Sequence, residues 1–234
     1  MRKVALTLAV VLATAAVALA GPCPTTTYDN YLGSGFSCTV NDQTYQDFMY
    51  TGTSNPPGFE VPAGSIGVTP ITTAGDPGLQ WAASGWGVGT GLGILSQDSL
   101  FQFAVTSSTP ITDLSLSIGG AGFTGTGSIN LDETACLGAM LPSCTGGTIV
   151  TLSVFDNSGG QRLFDQVNFS GVNLISVSKD LLVQAGTNGS AQVSVITDQF
   201  SEGQSTVPEP STLSMLGAGV LALGGFARRK LNLF

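Results

Sequence analysis

The chain has 234 residues, of which only 9% are charged while 32 are glycine, and its formal net charge is −8 at pH 7. Once two terminal segments are set apart, about 185 residues remain, enough for a single domain with a real core. Between Gly21 and Val207 only Arg162 and Lys179 are basic against fourteen acidic residues, a net of about −12. Such a surface repels phosphates and offers no basic stripe, which excludes nucleic acid as a partner.

The chain begins with Arg2 and Lys3 ahead of an unbroken apolar, alanine-rich run that closes with Ala18-Leu19-Ala20. This is the pattern of a secretory signal peptide over residues 1–20. Ala18 and Ala20 are small enough for the narrow subsites of a signal peptidase, which places the cut between Ala20 and Gly21. A lipid anchor on Cys23 is the competing reading. Pro22 argues against it, because such processing wants a small, flexible residue just before the cysteine.

Export carries the body, residues 21–200, into an oxidising compartment, where its four cysteines are expected to pair. Four cysteines permit three pairings, and the local one, Cys23 with Cys38 and Cys136 with Cys144, needs the smallest loop closures. A zinc site would want tighter Cys-x-x-Cys spacing, usually with histidine, and the chain has no histidine. No metal and no cofactor are expected.

Along the body the apolar period is near two. "SLFQFAVTSS" alternates around Leu100 and Phe101, and "ITDLSLSIGG" places Ile111, Leu114, Leu116 and Ile118 mostly on one face. The stretch from Thr148 to Gly171 reads as two strands flanking a hairpin turn at Asn157-Ser158-Gly159-Gly160. "VNLISVSKDLLVQAG" and "SAQVSVITDQF" repeat the rhythm of strand, turn and strand. The expected fold is all-β, an antiparallel β-sandwich, jelly-roll-like, flanked by a signal helix and a C-terminal transmembrane helix. The glycine-rich stretch Ala83–Ser96 is expected to be a loop. It lacks a dinucleotide fingerprint, since Gly87 and Gly89 are followed by Leu92 where the third glycine belongs, and no lysine completes a P-loop.

Catalytic constellations are sparse. Without histidine there is no Ser-His-Asp or Cys-His arrangement. Asp132-Glu133, Asp42, Asp47, Asp156 and Asp165 are the carboxylates that could converge into an acid and base pair, although acidic residues on strand edges and turns are far more often solvated. For calcium the best segment is Asp156-Asn157-Ser158, but it lacks the alternating ligand rhythm and already serves the hairpin. Trp81 and Trp86, with Tyr45 and Tyr50 elsewhere, are the residues from which a sugar platform could be built. More often such residues fill the core of a sandwich, which is the favoured reading.

After a polar linker at 201–207 the chain ends in "VPEPSTLSMLGAGVLALGGFARRKLNLF". Residues 211–227 form an apolar stretch, about 25 Å long as a helix, short for a hydrocarbon core of roughly 30 Å. Arg228, Arg229 and Lys230 would hold its cytoplasmic end. Pro208-Glu209-Pro210 has no helical option across both prolines and should be extended just outside the membrane. Residues 207–234 resemble the PEP-CTERM sorting signal of exported proteins in exopolysaccharide-producing Gram-negative bacteria. The resemblance rests on Val207-Pro208-Glu209-Pro210-Ser211-Thr212, the glycine-containing apolar run and the basic cluster. It departs from the common pattern in the "LNLF" that follows. The resemblance implies recognition by an exosortase near Pro208, Glu209 and Pro210, after which the protein stands at the cell surface or is released. A plain membrane anchor with a stiff linker is the alternative.

The body itself resembles no characterised family. The expected role is a structural or interaction component of the cell surface or matrix, not an enzyme, with exosortase, signal peptidase, membrane and exopolysaccharide as its partners. A carbohydrate-binding module is the alternative and a glycoside-active enzyme comes last. Exposure of the tryptophans separates the first two: both flat on one outer face favours a sugar binder, and burial of both favours the structural role.

Overall fold

A computed structural model describes residues 20–203. The signal segment up to residue 19 and everything from residue 204, including the sorting motif, the apolar run 211–227 and the basic cluster, lie outside the described residues. Among the described residues no helix is long and apolar enough to cross a membrane.

The body is all-β. Its strands are β1 (Gly21–Pro22), β2 (Thr26–Thr27), β3 (Ser37–Val40), β4 (Gln43–Asn55), β5 (Gly67–Ile71), β6 (Gly78–Ala82) and β7 (Gly87–Gly89), followed by β8 (Ser96–Gly119) and β9 (Gly122–Gly125). Then come β10 (Ser128–Leu137), β11 (Thr148–Asn157), β12 (Gly160–Arg162), β13 (Phe164–Gln184), β14 (Gly189–Gln192) and β15 (Val195–Glu202). Pairing is antiparallel except for β1 beside β3. The last strand takes Ser201 and Glu202 from the segment expected to be linker.

Two strands are unusually long. β8 has 24 residues and β13 has 21, and each changes partners along its length. The first half of β8 pairs with β4 and with the second half of β13, and its second half pairs with β15 and with the first half of β13. Register shifts at Asn168, Val172 and Leu174 mark the corner. The hydrogen-bonded path β12-β11-β10-β13-β8-β15-β6-β5-β2 is therefore continuous, yet it folds over so that its two halves face each other. Aromatic contacts across the core demonstrate the closure. Trp81 on β6 lies 5.5 Å from Phe103 on β8, and Phe200 on β15 lies 6.0 Å from Tyr45 on β4.

Burial follows the pleat. On β8 Phe101, Phe103, Val105 and Ile111 face the core in one phase and Leu114, Leu116 and Ile118 in the other, the period of two holding on each side of a switch beside the register shift with β15. The turn at Asn157–Gly160 is formed as expected: Asn157 pairs with Gly160 in register, and the Asn157 side-chain oxygen accepts from the Gly159 N–H at 2.8 Å. Both local disulfides form, Cys23 with Cys38 at a Cα separation of 4.6 Å and Cys136 with Cys144 at 5.6 Å.

The glycine-rich stretch departs from expectation. Instead of a loop throughout, it contributes β7 to a small sheet ordered β7-β14-β9. Here glycine lets backbones approach where a side chain could not. A Cβ at Gly125, whose φ is +56°, would overlap the Asn188 carbonyl, and one at Gly189 would overlap that of Thr124.

The tryptophans require a correction. Trp81 is 0% exposed and Trp86 1%, so neither presents a ring to solvent and they form no platform. Each sits on an inward-facing strand or loop position against Phe101. Tyr45 is fully buried too, and Tyr50 is half-buried with its ring 5.1 Å from that of Phe101. The Trp86 indole N–H donates to Ser99 Oγ at 3.2 Å. Burial is the lower free-energy place for rings of this size. Trp81→Ala is expected to cost about 3–5 kcal/mol of stability, read as a lower denaturant midpoint at unchanged slope. A loss under about 1 kcal/mol would contradict a closed core around that ring.

Candidate functional site

The carboxylates singled out from sequence do not gather into one site. Adjacent residues on a strand face opposite ways. On β10 Asp132 therefore points outward while Glu133, 1% exposed, points into the core. Asp132, Arg162 and Asp165 line a cleft of about 350 Å³ on the outside of β10 and β11. Arg162 pairs with Asp165 there, and Asp165 accepts the Ser153 N–H at 2.9 Å, so this carboxylate satisfies the open edge of β11. Asp47 sits on a bulge of β4 at φ +58° beside Met49 and Met140, remote from Asp132. Asp156 is 5% exposed on β11 within the hairpin. Among the described residues no cluster of three or more acidic or cysteine side chains is arranged to hold a metal ion.

Asp42 meets a partner that sequence did not single out. Its carboxylate and that of Glu202 both accept from Ser107 Oγ, at 3.4 and 3.2 Å. Burial opposes ionisation of Asp42, but hydrogen bonds from Glu202, Thr109 and Ser107 outweigh it and hold its pKa below the usual range. Burial and the neighbouring Asp42 push Glu202 up. One proton shared within the pair accounts for both directions. The pair lies where β15 ends, immediately before the segment that carries the sorting motif.

A second acidic group occupies the outer face of the sheet. Asp132 on β10 stands directly opposite Asp180 on β13, and Asp98 on β8 is diagonal to Asp180. Desolvation, a hydrogen bond to Asp98 and the charges of Asp98 and Asp132 raise Asp180 to about 6.

A trough of about 640 Å³ lies beside the small sheet, lined by Ser84, Leu92, Phe123, Thr124, Ser190 and Gln192 among others. A neighbouring hollow of about 520 Å³ shares Leu92, Thr124 and Ser190 and extends to Asn188. No charged side chain lines either one. Thr124 and Ser190 hydroxyls are hydrogen-bonded to each other at 2.9 Å, and Leu92 is 70% exposed at the rim. Hydroxyl, amide and backbone groups beside a few apolar contacts are the lining expected for a neutral, polyhydroxylated ligand.

The strongest electrostatic feature was missed by sequence reasoning and lies in the core. Lys179 on β13 is 0% exposed, as are the side chains of both its partners. Its Nζ stands 2.8 Å from Glu133 Oε2, directly across the β10–β13 ladder, and pairs with Asp198 Oδ2 on β15 in the facing layer. The ammonium also sits 4.8 Å above the Trp81 ring. The signal was present as parity: Lys179 shares the phase of Val177 and Leu181, Glu133 that of Leu131 and Ala135, and Asp198 that of Ile196 and Phe200.

Residues 206–230 match the PEP-CTERM protein-sorting motif. A sequence comparison with curated proteins finds no match. Among solved structures the chain is similar to the carbohydrate-binding module TmCBM61 in complex with β-1,4-galactotriose, at 9% identity over 66% of this chain and 88% of that one, with a TM-score of 0.31. It is also similar to a structure from work on promiscuous carbohydrate-binding modules of the β-sandwich superfamily, at 9% identity over 79% and 62%, TM-score 0.27. A third is the enzymatically active domain of bacteriophage CBA120 tailspike protein 4, at 15% over 68% and 19%, TM-score 0.24. At these scores none bears on the ligand of this chain.

The acidic face yields a pH prediction. Asp180 binds its proton more tightly folded than unfolded, so the folded state gains from it at low pH and loses that gain as pH rises from about 4 through about 6. Asp98→Asn should lower the Asp180 titration midpoint and raise the melting temperature at pH 7.5 while leaving it nearly unchanged at pH 4. Carboxyl NMR titration and thermal melts at the two pH values check this, and an equal shift at both would contradict it.

Proposed function

We propose that this chain is an exported cell-surface or matrix protein, delivered through its C-terminal PEP-CTERM motif, whose body serves a structural or interaction role instead of catalysing a reaction. The supporting observation is the motif match at residues 206–230, which begins four positions after β15 ends at Glu202. Two prolines disfavour a helix across Pro208-Glu209-Pro210, which suits reading of this segment by a membrane-embedded exosortase. The signal segment 1–20, with its cut after Ala20, supplies export. The apolar run 211–227 and the cluster Arg228, Arg229 and Lys230 hold the precursor in the membrane during processing.

Glu209→Ala should accumulate as an uncleaved membrane-bound precursor with a folded, translocated body. Neutralising Arg228, Arg229 and Lys230 should fail differently, by letting the short helix slip through the membrane. Fractionation and mass measurement of each variant separate the outcomes. Release of Glu209→Ala in the wild-type form would show an ordinary anchor instead.

A second reading, binding of a neutral glycan such as the producer's own exopolysaccharide, is favoured by the uncharged trough along Thr124, Ser190 and Gln192. It replaces the buried tryptophans with Leu92 and Phe123 as the apolar contacts. Leu92→Ala and Phe123→Ala together should weaken binding to purified exopolysaccharide at least about tenfold, roughly 1.4 kcal/mol, if the trough is the site. Equal retention of wild type and variant on immobilised polysaccharide would exclude it.

A further inference from the structure

The ion cluster in the core has no role in sorting or in the trough, and its surroundings are unusual for charge. In register, Lys179 lies beside Phe101, Glu133 beside Leu152, and Asp198 beside Leu79 and Leu116. Three ionisable groups in such a place cost far more than apolar residues of similar volume. The group is also unevenly satisfied: Asp198 Oδ1, both Glu133 oxygens and Trp81 Nε1 have no geometrically acceptable hydrogen-bond partner. An arrangement that is poor as a resting ion pair has the right parts for a reaction. It holds an amine, a carboxyl group touching that amine, and a second carboxyl group within 2.8 Å to move protons.

We propose that Lys179 and Asp198 condense spontaneously into an intramolecular isopeptide bond, with Glu133 as the catalytic proton carrier. Before reaction the two carboxyl groups and the amine share two titratable protons. Burial, reinforced by the Glu133 charge, keeps Asp198 protonated well above the usual carboxylate range. Burial alone would strip the Lys179 proton, but the flanking carboxyl groups outweigh it and hold the ammonium. Transfer of one proton from Nζ to Glu133 converts this state into its uncharged tautomer without any proton entering or leaving. A dry core narrows the gap between the two, because it no longer favours the ionised form as water would.

The neutral Nζ then attacks Asp198 Cγ. A C–N bond forms, and the bond from Cγ to the hydroxyl breaks. Of the three ammonium hydrogens, one remains on the amide nitrogen, one ends on Glu133, and one leaves through Glu133 with the hydroxyl as water. The product is a neutral amide beside a neutral carboxylic acid, so the step removes both buried charges. No oxidant, metal or cofactor is consumed. Fixing the amine against the carboxyl group supplies the effective concentration that such a condensation lacks in free solution.

The consequence is mechanical. The second half of β13, which carries Lys179, faces β15 across the core, and β15 is the last strand before the sorting segment. A covalent tie at Asp198 would keep β15 from being drawn out of the core by tension on the tag.

The test is peptide mapping of the exported protein made from the full chain, after reduction and denaturation. Trypsin cuts only after a free lysine or arginine side chain, so the proposal requires no cut after Lys179. It also requires a single internally looped peptide, starting at Leu163, that is lighter by one water and whose fragments join 179 to 198. Cleavage after Lys179, with linear peptides at full mass, would overturn it. Because Lys179→Ala or Asp198→Ala leaves uncompensated buried charge, two milder variants carry the decision. Glu133→Gln keeps shape and polarity and should fold but remain uncrosslinked, cut at Lys179 and at full mass. Crosslinking of that variant to the wild-type extent would overturn the role given to Glu133. Asp198→Asn should reach the wild-type product mass by losing ammonia in place of water, and a linear Asp198→Asn product would count against condensation at this carbon.

Discussion

β8 and β13 each hydrogen-bond into both layers, and everything else in the body is arranged on that shared pair. Their register carries Phe101, Phe103, Val177 and Leu181 into one side of the core and Leu114, Leu116 and Ile118 into the other. A strand that turns a corner without ending leaves no seam between layers, so the two halves cannot come apart as separate sheets. Lys179 reinforces the corner pair by reaching from β13 to Glu133 beside it and to Asp198 opposite. The apolar aromatic packing is the larger stabilising quantity, since burying rings such as Trp81 and Phe103 stabilises by several kcal/mol each.

Where the sequence was legible, a local rule carried the information. The period of two located the inward residues of β8, the hairpin at Asn157–Gly160 announced itself in turn chemistry, and short loop closures selected both disulfides. The glycine-rich stretch misled because glycine is read as loop, whereas here it permits the close approach of β7, β9 and β14. The tryptophans were undetermined by composition: a ring that could stack on a sugar is equally suited to a core, and only the three-dimensional position of Trp81 and Trp86 decides. The convergence of Asp42 with Glu202, or of Lys179 with Asp198, joins residues far apart in sequence or in different layers. No local pattern encodes such pairs, although their phase within apolar strands marked the inward charges individually.

Delivery and body thus differ in how they are specified. The sorting segment is a linear motif, so its chemistry is visible in the order of residues, and its match at 206–230 needs no fold. The body depends on contacts between distant strands. Its exterior is acidic, with Asp98, Asp132 and Asp180 crowded on one face, and the trough beside its small sheet is neutral. A net negative exterior disfavours contact with anionic surfaces, whereas the trough carries no charge of its own.

Native-state hydrogen exchange of the exported body tests the dependence on β8 and β13 most directly. The amides of Phe101–Val105, Leu114–Ile118, Val177–Leu181 and Ile196–Phe200 should be the slowest and should open together, with one denaturant dependence equal to that of global unfolding. If the amides of β15 and the second half of β8 instead opened as a separate unit, while those of β4, β10 and the first half of β8 stayed protected, the two layers would be independent. The account of a single core held by shared strands would then be wrong.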